Sequence, residues 1–390
     1  MRSLKPSFLA LMALTGALAL LSSTMAKTPA VPLFARALGA SPALIGWTVM
    51  ASTVPGILVS LPAGALRDRV GTRPLLLAAL FVFATAPFLY LLVHNVGQLA
   101  VVRFYHGFAT AIFGTVIGAE IAARFPERRG HALGVYSAVS TAGRSLAPFL
   151  GGTLISLTGF TGLYLGCAAA GVLALTLGIQ TSTHLPAHVE KPADDRPRVR
   201  LSAILADRLI RVTSLVEAVQ YLVFGSVEAF LAVYAARAGW PAWRIGVLLG
   251  AQLLVVVLSK PRLGKLSDRY GRAPIILVGL TLGALAVAGL PFTRDFSGLL
   301  GINGVFGAGF SATTAATGAL VGDRSRAGGF GAGMGFLRSI MDIGQAAGPV
   351  LTGALVQIGG YRTAFPTLAA FLLAAAVVFG FATRSQPGAP

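Results

Sequence analysis

Ionisable side chains that interrupt long apolar stretches are the residues of this sequence that could do chemistry. An ionisable group inside a membrane is costly unless it faces a cavity or a partner, so each one marks a candidate path for a proton or a polar solute. Seven such residues occur, namely Lys27, Arg103, Arg144, Glu217, Glu228, Arg338 and Asp342. Those in the first half of the chain are basic, whereas those in the second half are mostly acidic.

The carboxyl groups of Glu217, Glu228 and Asp342 are candidates for carrying a proton, because a neighbouring charge or a bound substrate can change how tightly a carboxylate holds one. Asp342 follows Arg338 by four residues, so both lie on one helical face. That spacing fits a purely structural ion pair as well as a coupling site. We also assign Lys27, Arg144 and Arg338 as candidates for the substrate cavity, with snorkelling to the interface as the alternative for Lys27 and Glu228.

The elements that must position these residues are membrane-spanning helices. The 390-residue chain is 55% hydrophobic and 11% charged, a composition outside the range of soluble domains. Crossing the hydrocarbon layer takes about 20 apolar residues in a helix. Twelve stretches qualify: 7–30, 43–65, 74–93, 97–120, 131–156, 161–180, 208–235, 243–262, 273–292, 297–320, 328–357 and 363–383. The first resembles a cleavable signal, but the second half has a matching span in the same place.

Lys and Arg are distributed unevenly between alternate loops. Twenty-two lie on the side that holds both termini and five on the other. The positive-inside rule therefore predicts cytoplasmic termini in a cell inner (plasma) membrane. The net charge of +18 is explained by this topology, and nothing else in the sequence favours nucleic acid as a partner. The single cysteine, Cys167, excludes an internal disulfide or a Cys-based metal site.

One charged loop occurs twice, as GALRDRVGTRP at residues 64–74 and as GKLSDRYGRAP at residues 264–274. The offset of 200 also aligns other segments and places Lys27 next to the equivalent of Glu228. Such a repeat predicts two equivalent six-helix domains. We set them at residues 1–180 and 207–390, joined by a polar cytoplasmic linker at 181–206.

The repeated loop resembles the signature of the major facilitator superfamily, and the resemblance covers the whole chain. It implies an all-α integral membrane protein of 12 transmembrane helices, arranged as two pseudo-symmetric six-helix bundles. It also implies a cytoplasmic gate at the loop, for which a basic turn that only fixes topology is the alternative. The gate residues are Gly64, Asp68, Arg69, Gly71 and Arg73, with Gly264, Asp268, Arg269, Gly271 and Arg272 in the second copy.

Two further motifs resemble those of proton-driven exporters in this family. Arg103 in the fourth span matches an arginine linked to proton coupling. A glycine–proline motif in the fifth span recurs in the eleventh, although Ala147 replaces the glycine before proline in the first copy. Its residues are Gly143, Pro148, Gly151, Gly152, Gly344, Gly348 and Pro349. Small residues of this kind permit close helix packing and changes of curvature, or passive packing alone.

The resemblance implies a monomeric secondary transporter in the lipid bilayer, which exports small amphiphilic or drug-like molecules in exchange for protons by alternating access. Exporters of this type commonly carry an acidic residue in the first helices, whereas this chain carries Lys27. The alternative is therefore a symporter or uniporter of an anionic or sugar-like metabolite. A non-transporting receptor is a third hypothesis, disfavoured by the intramembrane charges. No enzyme motif, cofactor motif or metal-ligand spacing occurs in the sequence.

Overall fold

The protein is a helical chain. The computed structural model describes residues 4–56, 58–59, 66, 70–183, 206–325 and 330–384, and the regular structure in these ranges is helical. The helices are α1 (Leu4–Lys27), α2 (Ala30–Ala37), α3 (Pro42–Met50), α4 (Thr72–Tyr90), α5 (Val96–Arg124), α6 (Arg129–Ser182), α7 (Arg208–Arg237), α8 (Ala242–Tyr270), α9 (Arg272–Gly289), α10 (Phe296–Arg324), α11 (Phe330–Gly359) and α12 (Tyr361–Arg384). The predicted fold class is confirmed.

The helices follow the predicted spans with two informative differences. Within the described ranges, nine helical segments are long and apolar enough to cross a membrane. One of them, residues 126–182, contains two predicted spans. Gly159 (φ 69°, ψ −168°) interrupts the helical backbone of α6 between these spans. The predicted span 43–65 starts at α3 and continues into residues outside the described ranges. Residues 184–205 of the predicted linker, 181–206, also lie outside them, and α6 extends to Ser182 within its first residues.

The internal repeat is visible in the backbone torsion angles. Among the described residues, six glycines have positive φ, and they fall into three pairs separated by 200 or 201 residues: Gly39 and Gly239, Gly71 and Gly271, and Gly159 and Gly360. The φ values within each pair agree to within 7°. Glycine adopts this left-handed conformation without a steric penalty, whereas residues with a Cβ rarely do. The same breaks between helices therefore recur in both halves of the sequence.

Helix caps repeat at the same offset. Asn95 Oδ1 accepts a hydrogen bond from the Gln98 amide (2.9 Å), and Asp295 Oδ2 accepts one from the Gly298 amide (2.6 Å). These bonds satisfy amide groups that a helix N-terminus leaves unpaired. The bond from Gly298, followed by one from the Ser297 hydroxyl, holds the pKa of Asp295 below its usual value. Both α5 and α10 therefore begin at a defined residue.

The chain divides into two compact units. The first comprises residues 1–40, 47–193 and 235–250, and the second comprises residues 41–46, 194–234 and 251–390. In the first unit, Gly143 of α6 lies against the backbone of Ala17 in α1. In the second, Gly344 of α11 lies against the backbone of Ala218 in α7. Both residues of the first contact recur 201 positions later in the second, so the repeat extends to how the helices pack.

We predict that Gly344→Ala destabilises the protein. An added Cβ would overlap the Ala218 backbone, which cannot rotate away as a side chain can, and such overpacking costs about 1–3 kcal/mol. Gly335 lies in the same helix with open space around it, so Gly335→Ala should be neutral or stabilising by up to about 1 kcal/mol. Thermal unfolding of the two detergent-purified variants measures the difference. Equal melting temperatures would show that the contact between Gly344 and Ala218 has room for an added Cβ.

Candidate functional site

A buried carboxyl group lies between two helices of the second unit. Glu217 of α7 is 4% exposed, and its Oε2 lies 2.5 Å from Oγ1 of Thr317 in α10. The Thr317 hydroxyl is also 2.9 Å from the carbonyl oxygen of Thr313, one turn earlier in the same helix. Both threonines are fully buried. Glu217 is therefore held by a hydroxyl that has a second hydrogen-bond partner.

Helix α8 packs on α10, the helix that carries Thr317. The Ser311 hydroxyl of α10 donates to the carbonyl of Val256 in α8 (3.2 Å). One turn beyond Val256 lies Lys260, whose side chain is exposed. The predicted span 243–262 contains Lys260, and α8 continues past it to Tyr270.

Other buried polar atoms lie within one helical turn of Glu217 or Thr317 in the sequence. The hydroxyls of Thr213, Ser214 and Thr314 and both amide atoms of Gln220 are buried and have no hydrogen-bond partner among the described residues. Gln220 is completely buried and follows Glu217 by three residues, on the same face of α7. Unpaired polar groups of this kind are costly in an apolar interior. The region thus combines a buried carboxyl group with spare hydrogen-bonding capacity.

A second polar cluster forms around Arg103 in the first unit. Arg103 of α5 is 2% exposed, and its guanidinium donates to the Ser52 hydroxyl and to Tyr90 Oη (3.5 Å). Tyr90 Oη also lies 3.3 Å from His106 Nδ1, and the Tyr90 ring stacks on Tyr164 with centroids 4.5 Å apart. His106 is thus part of a packed aromatic network.

The Arg103 cluster holds a charge without a carboxylate. No ion pair joins Arg103 to an acidic side chain within the described part of the chain, and its Nε has no hydrogen-bond partner there. His106 Nε2 and Tyr164 Oη are likewise buried without partners. Gly107 lies against the backbone of Ser52, which lets Arg103 reach the serine hydroxyl. A fixed buried cation of this kind attracts negative charge or electron-rich groups.

The other predicted cavity residues are more accessible than Arg103 and Glu217. Lys27 ends α1, and Glu228 lies in the interior of α7; both are half-buried. Arg144 and Arg338 are exposed, and Asp342 is half-buried. Arg338 and Asp342 lie one turn apart on α11, but no contact of ion-pair length joins them among the described side chains.

The second copy of the repeated loop is an ionic cluster. Arg272 pairs with Asp268, donates to the Ser267 hydroxyl (2.6 Å) and reaches Asp323 at the end of α10 (3.3 Å). In the first copy, Gly64, Asp68 and Arg69 lie outside the described ranges. Gly71 precedes α4 with positive φ, as Gly271 precedes α9.

Thr72 takes the place of Arg272 in the first copy. Its hydroxyl donates to Glu120 near the end of α5 (2.9 Å), and Glu120 lies 4.0 Å from Arg124. In both copies the residue after the positive-φ glycine thus binds an acid near the end of the next long helix. The remaining basic residues, Arg73 and Arg269, are exposed.

The glycine–proline motif makes backbone contacts in both units. In the first unit, Gly246 of α8 lies against the carbonyl of Pro148, and Gly152 lies against the backbone at Ala242. In the second unit, Gly46 of α3 lies against the carbonyl of Pro349. Two further motif glycines also make close contacts, Gly151 with Met25 and Gly348 with Leu222, and Gly353 in the same helix as Gly348 lies against Pro42. A side chain at Gly46, Gly152 or Gly246 would prevent this approach.

Known proteins of one family match the whole chain. The profile of the Major Facilitator Superfamily matches residues 12–300 and 220–390. A multidrug resistance protein MdtG from Salmonella choleraesuis is 26% identical over 367 residues, which cover 88% of this chain and 88% of the relative. An uncharacterised MFS-type transporter from Methanocaldococcus jannaschii is 23% identical over 354 residues, or 90% of this chain and 92% of the relative.

Solved structures agree on the fold. A bacterial homologue of the human lysosomal transporter Spinster, in an inward-facing and unoccupied conformation, superposes with a TM-score of 0.84 at 16% identity and covers 100% of both chains. The nucleoside transporter NupG (a D323A mutant) superposes with a TM-score of 0.82 at 13% identity and covers 96% of this chain and 99% of its own. The chain therefore belongs to the major facilitator superfamily, and it is a multi-pass membrane transporter with no enzymatic role.

Proposed function

We propose that this transporter exports small amphiphilic molecules in exchange for protons, by alternating access. Relatives named for multidrug resistance support the substrate class, and the buried Glu217 supports the coupling ion. In this proposal the two repeats at residues 1–180 and 207–390 move as the two bundles, and both termini lie in the cytoplasm.

The observation that carries the proposal is the hydrogen bonding of Thr317. A threonine hydroxyl has one proton to donate, and a backbone carbonyl can only accept. The Thr317 hydroxyl donates to Glu217 Oε2 and also lies 2.9 Å from the Thr313 carbonyl oxygen. That carbonyl already accepts the backbone amide of Thr317 within α10, so the hydroxyl proton is available to Glu217. One hydroxyl compensates a buried carboxylate only in part for the water it loses, which favours the neutral, protonated form of Glu217.

Burial points in the same direction. An ionised carboxylate inside the membrane carries a large desolvation penalty, which protonation removes. A proton on Glu217 and a donor group of a substrate would compete for the same carboxylate oxygens. Binding of one then weakens binding of the other, which is the thermodynamic requirement for exchange. Proton entry from outside would release substrate, and proton loss to the cytoplasm would restore the site.

The basic residues favour a second candidate function. Arg103 is a buried cation without a carboxylate partner in the described ranges, and Lys27 and Arg144 lie in the same half of the sequence. These charges suit an anionic metabolite, for which protons and substrate would move together. The direction of proton movement separates the two functions.

The first prediction concerns proton movement in proteoliposomes. We test a cation (ethidium), a neutral amphiphile (chloramphenicol) and an anion (deoxycholate) with a pH-sensitive dye in the lumen. Export predicts that protons move opposite to at least one of these compounds. Glu217→Gln should abolish proton movement but keep exchange of labelled for unlabelled substrate, because the neutral amide mimics the protonated carboxyl group.

Glu127→Gln is the matched control, because Glu127 lies exposed in the turn between α5 and α6. It should behave as the wild type. If protons move in the same direction as the substrate, the symporter hypothesis replaces the exporter hypothesis. Unchanged counterflow in Glu217→Gln would assign the coupling to Glu228 or Asp342 instead.

The second prediction concerns Arg103. Arg103→Lys should keep its charge but lose the planar fork that reaches both Ser52 and Tyr90. We expect transport to fall at least about tenfold, since a lost charge-assisted hydrogen bond is worth about 1.5–3 kcal/mol. Arg294→Lys, at an exposed site, is the control. Wild-type transport by a well-folded Arg103→Lys protein would show that charge alone suffices at this position.

A further inference from the structure

We propose that the polar cluster around Arg103 binds a small monovalent anion of halide size, which in a cell is chloride. The anion is held by N–H and O–H groups of Arg103, His106 and Tyr164 that have no partner among the described residues. This inference does not depend on the proton-carrying role proposed for Glu217. It assigns a resident counter-ion to a buried positive charge.

Arg103 lies far from the carboxyl groups of the first repeat. Residues 1–180 contain three acidic residues, Asp68, Glu120 and Glu127. Glu120 follows Arg103 by seventeen residues in α5, which is about 25 Å at a rise of 1.5 Å per residue. Glu127 comes after the end of α5, and Asp68 precedes α4, whose last residue is Tyr90. A buried charge without a counter-charge is strongly destabilising, so an anion taken from solution would stabilise this site.

The hydrogen bonds of Tyr90 determine which groups of the cluster remain donors. The Arg103 guanidinium donates to Tyr90 Oη (3.5 Å), because an arginine side chain has donors only. Tyr90 then donates its own proton to His106 Nδ1, 3.3 Å away, an assignment that gives each hydrogen at these two contacts an acceptor. A neutral histidine that accepts at Nδ1 carries its proton on Nε2. The Nε2 of His106 is therefore a donor, as is the Nε of Arg103, and both are buried without a partner in the described ranges.

Tyr164 adds a third donor to the cluster. Its ring stacks on that of Tyr90 with centroids 4.5 Å apart and 6° between the ring planes, and its buried hydroxyl has no partner in the described part of the chain. The side chains of Tyr90, Arg103, His106 and Tyr164 are 1–2% exposed. Three donors beside one positive charge suit an anion better than a cation or a neutral solute. Because the cluster is enclosed, a single-atom anion suits it better than a metabolite.

The test is thermal unfolding of the full chain, purified in detergent with gluconate as the anion. Chloride then replaces gluconate at constant pH and ionic strength. An anion that binds the folded state stabilises it by mass action, so the melting temperature should rise with the chloride concentration, and the rise gives a dissociation constant. Bromide should act in the same way. Equal melting temperatures in gluconate, chloride and bromide would overturn the inference.

Tyr164→Phe tests the assigned site, because it keeps the stacked ring and removes one unpaired hydroxyl. In gluconate its melting temperature should equal or exceed that of the wild type, since a buried polar group without a partner is lost. Its dissociation constant for chloride should rise about tenfold, the usual effect of losing a hydrogen bond to a charged group. A Tyr164→Phe protein with the chloride affinity of the wild type would contradict the assignment.

Tyr136→Phe is the matched control for this substitution. Tyr136 is half-buried in the first part of α6 and packs against Gly16 of α1, away from the cluster. The variant loses a hydroxyl in the same way and should bind chloride as the wild type does. If it loses chloride affinity as Tyr164→Phe does, the chloride effect does not belong to the Arg103 cluster and the inference fails.

Two measurements on the wild type separate a free anion from a bound substrate, and neither requires a variant to fold. Stabilisation by acetate, the smallest analogue of a carboxylate metabolite, without stabilisation by chloride would overturn the inference in favour of the second candidate function. Bromide-soaked crystals should show an anomalous peak beside the Arg103 guanidinium, and peaks only elsewhere would overturn it too. The export proposal is tested separately by Glu217→Gln, so either proposal can fail without the other.

Discussion

The hydrocarbon layer offers no water to polar groups, and this constraint determines the rest of the structure. Backbone amides and carbonyls in a spanning segment must bond within it, so the segments are helices. Lipid is as apolar as the helix surface, so helices associate through close packing of small residues. Gly143 against Ala17 and Gly344 against Ala218 are contacts of this kind. Side chains that remain polar inside such a bundle stand out as functional candidates.

Much of the fold could be predicted because its signals are local. Long apolar runs, basic loops and the repeated turn specify the helices and the repeat from short stretches of sequence. Gly71 and Gly271 were visible as one motif, since the charged residues around them also repeat. Gly159 and Gly360 form an equivalent pair with positive φ, but their neighbours share too little for the pattern to show. Their equivalence is conformational, and only the torsion angles reveal it.

The candidate site was less predictable, because it depends on contacts between distant segments. An acidic residue in an apolar run identifies Glu217 by itself. Its partner Thr317, 100 positions away, is one of many threonines in spanning segments, and nothing local distinguishes it. A basic residue near the end of an apolar run, such as Lys260, fits the helix and the cytoplasmic loop equally well, and the continuation of α8 to Tyr270 is not visible in the apolar pattern.

The repeat supplies the same scaffold twice, but the chemistry occurs once. At the offset of 201, Glu217 corresponds to Gly16, which packs against the ring of Tyr136. At the offset of 200, the buried Arg103 corresponds to the buried Asn303. An arginine stays charged at every physiological pH, so Arg103 supplies a constant field and no exchangeable proton. A carboxyl group can change its charge at the same depth. On the proposal that Glu217 carries the proton, the charge that changes belongs to the second half, while the first half supplies a fixed cation.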